Sequence, residues 1–191
     1  MTMKWSKWVL VSGAMAISAA TYAAPPTPEM LTFGCLGCHG GTGSAGPSMP
    51  TLANQSAEAI VEAMKKFKSG ERPATVMGRV AKAYNDEEFA KMGEFFSKQK
   101  FHATKQDMKK ADVKKGAELA KKNCSRCHME NGKEGKDDAP VMASQWLPYL
   151  QIQMDQYSTE KRKMPEKMAE KVKNLSKEEL DAILTFYANV K

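Results

Sequence analysis

Strand-like alternation of apolar and polar residues is missing from this chain, and beyond residue 20 so is any long apolar run. The first absence argues against a β-sandwich, a barrel or a βαβ unit. The second excludes a membrane-spanning helix in the body of the protein. No long block of one charge stands out either. The 29 basic residues interleave with 22 acidic ones for a net charge of +7. That pattern reads as a solvated helical surface, and no nucleic-acid partner is expected. Histidine numbers three and cysteine four, and all but one of these seven residues fall in two short motifs.

What is present begins with an export signal. Lys4 and Lys7 precede an apolar stretch over residues 9–20, and Thr21-Tyr-Ala23 closes it with a small residue. The stretch is too short for a comfortable bilayer span, so residues 1–23 are expected to be cleaved near Ala23. The mature chain is then expected in the periplasm, with no membrane span after cleavage.

The two motifs are Cys35-Leu-Gly-Cys-His39 and Cys124-Ser-Arg-Cys-His128, offset by 89 residues. The repeat extends beyond them. Leu52-Ala-Asn-Gln55 matches Met142-Ala-Ser-Gln145 at an offset of 90, as do Ile60, Met64 and Phe67 with Leu150, Met154 and Tyr157. Asn85-Asp-Glu-Glu-Phe89 matches Ser176-Lys-Glu-Glu-Leu180 at 91, and Phe95-Phe96 matches Phe186-Tyr187 at the same offset. A slow drift of offset is what small loop insertions produce, so the chain is a tandem duplication.

Each half reads as helical. A short helix is expected over residues 28–33. Ser56 caps a second over 57–68, with Ile60, Met64 and Phe67 at helical spacing and Gly70 ending it. Asp112 is the expected cap of a helix over 113–123. Capping boxes at Asn85 and Ser176 open the last helix of each half. The fold class is all-α, with a first domain over residues 24–97, a polar basic linker over 98–111 and a second domain over 112–191. Domains this small have marginal cores of their own.

Cys-x-x-Cys-His is the attachment pattern for c-type haem: two thiols add across the vinyl groups of one porphyrin, and the adjacent imidazole reaches the iron. Two covalently bound haem c groups are expected, held by Cys35 and Cys38 and by Cys124 and Cys127, with His39 and His128 as iron ligands. They would also supply the apolar surface the small cores lack. A zinc ribbon needs closer cysteine pairs, a thioredoxin-like pair needs a βαβ setting, and a disulfide needs no histidine. His102 reads as a solvated linker residue.

Methionine opposite histidine gives the high potential of an electron carrier. Met77 and Met168 stand at the same place in the two halves and are the expected sixth ligands, with Met164 the alternative to Met168 and core packing the competing role for each. A repeated methionine argues against a peroxidase, which needs an open sixth position, and no residue is assigned a catalytic role. Pro47 and Pro140 are either carbonyl acceptors for the histidine ring N–H or ordinary loop prolines. Arg79 and Arg162 are within sequence reach of haem propionates, though solvated arginines are the simpler reading. Gly41-Thr-Gly-Ser-Ala-Gly46 satisfies G-x-G-x-x-G, but without a strand before it the segment reads as a loop along the haem edge and not as a nucleotide site.

The tandem class I cytochrome c domains resemble the periplasmic two-domain dihaem cytochromes of the c4 type. The strings Thr27-Pro-Glu-Met-Leu31, Phe67-Lys-Ser-Gly-Glu71, Val76-Met-Gly-Arg-Val-Ala-Lys82, Ala143-Ser-Gln-Trp-Leu-Pro-Tyr-Leu150 and Lys167-Met-Ala-Glu-Lys171 are similar to the dihaem cytochrome subunit of flavocytochrome c sulfide dehydrogenase. That resemblance implies an FAD-containing flavoprotein partner that oxidises sulfide, and a soluble electron-acceptor cytochrome downstream. It implies a non-catalytic, electron-transferring role for this chain within the complex. A free dihaem carrier serving a terminal oxidase is the alternative.

Overall fold

The computed structural model describes residues 24–40, 46–101, 103, 105–135 and 139–191. The expected export signal, most of the glycine-rich loop at 41–46, and His102 lie outside these residues.

The first half contains α1 (Pro28–His39), α2 (Ala57–Ser69), the single turn α3 (Met77–Val80), a 3-10 turn at Ala81–Ala83, and α4 (Asp86–Ser97). The second contains α5 (Lys110–Asn123), the short turn α6 (Met129–Gly132), β1 (Glu134–Gly135), α7 (Leu147–Ser158), α8 (Glu166–Val172) and α9 (Lys177–Asn189). Extended pairing among the described residues is limited to isolated bridges, such as Met129 with Glu134.

Local chemistry accounts for most of these boundaries. Thr27 caps α1 by accepting from the Met30 N–H, Pro28 supplies a pre-set φ at the first turn, and Gly40 ends the helix at φ 79°. The helix is longer than the 28–33 expectation and carries the whole first motif. Ser56 accepts from the Ala59 N–H to open α2, and Gly70 closes it in the left-handed region at φ 88°. Both capping boxes are reciprocal: Asn85 with Glu88 and Ser176 with Glu179 each exchange two bonds. Asp112 does not cap α5. The helix begins at Lys110 with no side-chain cap, placing Asp112 in its first turn, where a carboxylate favours the positive end of the helix dipole.

Each half has its own core. In the first, Leu31, Met64, Ala81, Phe89 and Met92 are buried together. In the second, Ala120, Leu150, Met154, Ile183, Leu184, Tyr187 and Ala188 are. The linker is less free than its polarity suggests. Gln106 donates to the carbonyls of Gln145 and Ala188 and accepts from the Leu147 N–H at 2.9 Å, and Met108 packs on the second core.

The halves meet through a crossed, pseudo-symmetric contact. Gln145 accepts from the Thr51 N–H at 2.9 Å and donates to the Thr51 carbonyl at 3.1 Å. Gln55 does the same to Val141, at 3.0 and 2.7 Å. Beside this contact the Arg72 guanidinium reaches across to Tyr149 Oη at 2.8 Å and Gln153 Oε1 at 2.6 Å. No helix among the described residues is long and apolar enough to cross a membrane.

Candidate haem sites

The first motif occupies the last turn of α1. Cys35 and Cys38 are one helical turn apart, and His39 is the final helical residue, buried. The second motif follows α5 and does not continue it. Cys124 caps the helix, with its N–H on the Ala120 carbonyl at 2.8 Å, and the chain then turns so that the His128 N–H bonds the Cys124 carbonyl at 3.0 Å. Three left-handed residues, Glu130, Asn131 and Gly132, turn the backbone away from the motif. Glycine is required at the last of them. At Gly132, with φ +81°, a Cβ would lie 2.6 Å from the Tyr187 ring.

Each motif histidine is oriented by a proline carbonyl. His39 Nδ1 lies 2.9 Å from the Pro50 carbonyl oxygen, and His128 Nδ1 lies 3.3 Å from that of Pro140. Pro140 thus takes the carbonyl role considered for it. Pro47 does not: it is exposed, and the acceptor is Pro50, three residues on. The repeat held the signal, because Pro50 precedes Pro140 by the same 90 residues that relate Gln55 to Gln145.

Burial holds both imidazoles below their ordinary pKa, opposed in part by the proline bonds, so each ring is neutral at physiological pH. With Nδ1–H committed to a carbonyl, the Nε2 lone pair is left as a metal ligand. Burial pushes the Cys35 and Cys124 thiols up, which keeps them as S–H groups. Tyr187 is likewise pushed up, by its own burial and by the neighbouring Cys124. None of the four cysteines is in a disulfide, and no cluster of three or more His, Cys, Asp or Glu converges among the described residues. Two thiols outside any disulfide and one carbonyl-anchored imidazole form a donor set that fits c-type haem better than a protein-only metal cage.

Met77 is the first residue of α3 and packs at the edge of the first core. Met168 lies inside α8, and both it and Met164 pack at the edge of the second core. A cleft of about 510 Å³ is lined by Tyr157, Arg162, Met164 and Val172, among others, but by neither cysteine nor histidine of the second motif. Arg79 is exposed. Arg162 is half-buried, stacked 4.6 Å from the Tyr157 ring and bonded to Gln153 at 3.1 Å. Its counterpart Arg72, which no local sequence signal marks, stacks at the same 4.6 Å on Phe67.

Comparison with known proteins bears on this geometry. Residues 113–191 match the cytochrome c family. That segment is similar to a cytochrome c domain. Covalent haem c is the group such a domain carries, and the second motif lies within it. Over 68 residues the chain is 43% identical to the cytochrome subunit of sulfide dehydrogenase from Chlorobaculum tepidum, a match covering 36% of this chain and 62% of that relative's length. Among solved structures, cytochrome c4 from Pseudomonas stutzeri aligns with a TM-score of 0.74 at 22% identity, over 86% of this chain and 97% of that one. Cytochrome c4 from Acidithiobacillus ferrooxidans aligns at 0.71 and 23% identity, over 83% and 99%. Thiosulfate dehydrogenase from Marichromatium purpuratum aligns at 0.70 and 23% identity, over 81% of this chain and 36% of that one. The fold is therefore the all-α, two-domain class I cytochrome c fold, and the chain is similar in sequence to the cytochrome subunit of sulfide dehydrogenase.

Proposed function

We propose that the chain is a periplasmic dihaem electron-transfer subunit that takes electrons from a flavoprotein oxidising sulfide and passes them to a soluble carrier. The observation that carries this reading is the duplicated constellation: two Cys-x-x-Cys-His motifs, each with its histidine Nδ1 against a proline carbonyl. Residues 24–97 and 112–191 are then two haem domains joined by 98–111, and residues 1–23 direct export. Cys35 and Cys38 hold the first haem, with His39 and Met77 on its iron. Cys124 and Cys127 hold the second, with His128 and Met168, or Met164 in its place, on the iron.

Bound haem iron supplies one-electron chemistry, at the high potential that histidine–methionine ligation gives. Sulfide gives up electrons in pairs, which a flavin can accept, and two haems in one chain can empty a flavin stepwise. The similarity to a sulfide dehydrogenase cytochrome subunit supports the flavoprotein partner. The alternative, a free-standing dihaem carrier to a terminal oxidase, draws support from the nearly end-to-end alignment with cytochrome c4.

The deciding experiment is co-expression with haem-maturation machinery and a candidate FAD-containing partner, followed by affinity capture. Sulfide-dependent reduction of haem in the captured complex is expected. A stable, flavin-loaded complex whose haem stays oxidised in sulfide would leave the carrier reading.

A further inference from the structure

The crossed glutamine contact and the histidine carbonyls share the same two peptide groups. The Pro50–Thr51 peptide presents its C=O to His39 Nδ1 and its N–H to Gln145 Oε1, both at 2.9 Å. The Pro140–Val141 peptide presents its C=O to His128 Nδ1 at 3.3 Å and its N–H to Gln55 Oε1 at 3.0 Å. Each glutamine also donates Nε2 to the next carbonyl along, that of Thr51 or Val141. Thr51, Gln55, Val141 and Gln145 are all buried, none above 8% exposed, so water does not compete for these bonds. The histidine of each half is thus linked, through one peptide, to a glutamine of the other half.

Hydrogen bonds in series across a peptide polarise one another, more so where the dielectric is low. An acceptor on the N–H draws charge onto the carbonyl oxygen, which then takes the imidazole N–H more strongly. A stronger bond at Nδ1 makes the ring a more basic metal ligand. Greater ligand basicity favours ferric over ferrous iron and lowers the potential.

We propose that Gln145 is a positioning residue for the haem on His39, and Gln55 for the haem on His128, so that each domain sets the ligand strength at the other's iron. The proposal rests on the haem-ligation reading above. The two halves cannot part without loosening both histidine carbonyls, which ties domain docking to potential.

The test uses the full-length, haem-loaded protein with Gln145→Leu and Gln55→Leu made singly. Midpoint potentials are read by spectroelectrochemical titration. The histidine Nδ1–H resonances are read by NMR of the ferrous protein and assigned through contacts to Thr51 or Val141. Following each resonance during oxidation assigns each potential to its haem. Gln145→Leu should raise the potential of the His39 haem and move the His39 Nδ1–H resonance upfield, leaving the His128 pair in place; Gln55→Leu should do the converse. Gln145→Glu keeps an acceptor for the Thr51 N–H and should hold the His39 resonance near its original position. A shift confined to the mutated glutamine's own half, an equal shift of both haems, or no shift in protein that retains both haems would overturn the proposal. A polypeptide mass without any haem would overturn the ligation reading, and this inference with it.

Discussion

The two halves agree closely where they face each other and their histidines, and diverge at their outer helices. Pro50 and Pro140 hold the histidines, Gln55 and Gln145 clasp across the boundary, and Asn54 and Ser144 sit left-handed at φ 62° and 55°. The Asn54 and Ser144 N–H groups bond equivalent carbonyls, of Phe96 and Tyr187. Away from this face, α1 starts at Pro28 and carries its motif inside the helix, whereas α5 is longer and stops before its motif. The longer α5 crosses α9 at Gly116, where a Cβ would lie 1.9 Å from the Ala182 carbonyl oxygen. In the first half the tight glycine crossing is between α4 and α2 instead, with a Cβ on Gly93 reaching 2.7 Å from the Ala57 carbonyl oxygen. It is the half with the long crossing helix that matches the cytochrome c family. Duplicated units keep the contacts that orient the histidines and hold the pair together, while a helix packed only on its own half is free to be shortened and repacked.

If each half holds a haem as proposed, the sharpest way to break the comparison is to remove the two attachment motifs one at a time. Replacing Cys35 and Cys38 by Ala should leave a polypeptide with the mass of one haem, and replacing Cys124 and Cys127 should do the same. The first pair should cost more helix by circular dichroism, because among the described residues the first half buries seven apolar residues against ten in the second and would lean harder on a porphyrin. Next come the equivalent aromatics that fill the cores. Phe96 and Tyr187 are each no more than 2% exposed. Truncating either to Ala should cost about 3–5 kcal/mol in denaturant unfolding, through lost burial and the cavity left behind.

What was legible in the sequence was local or periodic. Ser56, Gly70, Asn85 and Ser176 announce helix ends because a cap needs only a side chain and a backbone group a few residues away. The pairing of each motif histidine with a proline carbonyl was half legible, because Pro140 stands in the sequence as a candidate acceptor and Pro50 does not. The start of α5 was not, since Lys109 makes no side-chain cap and the helix is held by packing. Nor was the docking of the linker, because Gln106 finds partners about forty and eighty residues away, at Gln145 and Ala188. Pro50 and Arg72 fall between these cases. Nothing near them marks a role, but the offset of 90 from Pro140 and Arg162 points to both.

The helix crossings offer a finer comparison. Adding a methyl at Gly116 meets backbone at a distance no side-chain rotation relieves, so α5 and α9 must move apart. At Gly93 the same methyl meets the start of α2 less severely. Gly116→Ala and Gly93→Ala should each destabilise by about 1–3 kcal/mol, with Gly116 the worse, read as melting temperature of the haem-loaded protein.

The smallest contrast lies at the ends of α2 and α7. Gly70 closes α2 at φ 88°, and Glu160 stands at the same place after α7 with φ 55°. The turn has the same use in both halves: two residues on, the Arg72 N–H reaches back to the Lys66 carbonyl at 3.0 Å, and the Arg162 N–H to that of Gln156 at 2.9 Å. That bond sets each arginine over its aromatic ring. Glycine enters the left-handed region without a Cβ clash, whereas glutamate bears a cost of about 1 kcal/mol there. Exchanging the two residues should therefore move stability in opposite directions. Gly70→Ala should lower it by about 1 kcal/mol, and Glu160→Gly should raise it by somewhat less, because a new glycine also loosens the unfolded chain. A loss of stability in Glu160→Gly would mean that the second half draws on the exposed glutamate side chain for something the first half lacks, and the correspondence between the two helix ends would fail there.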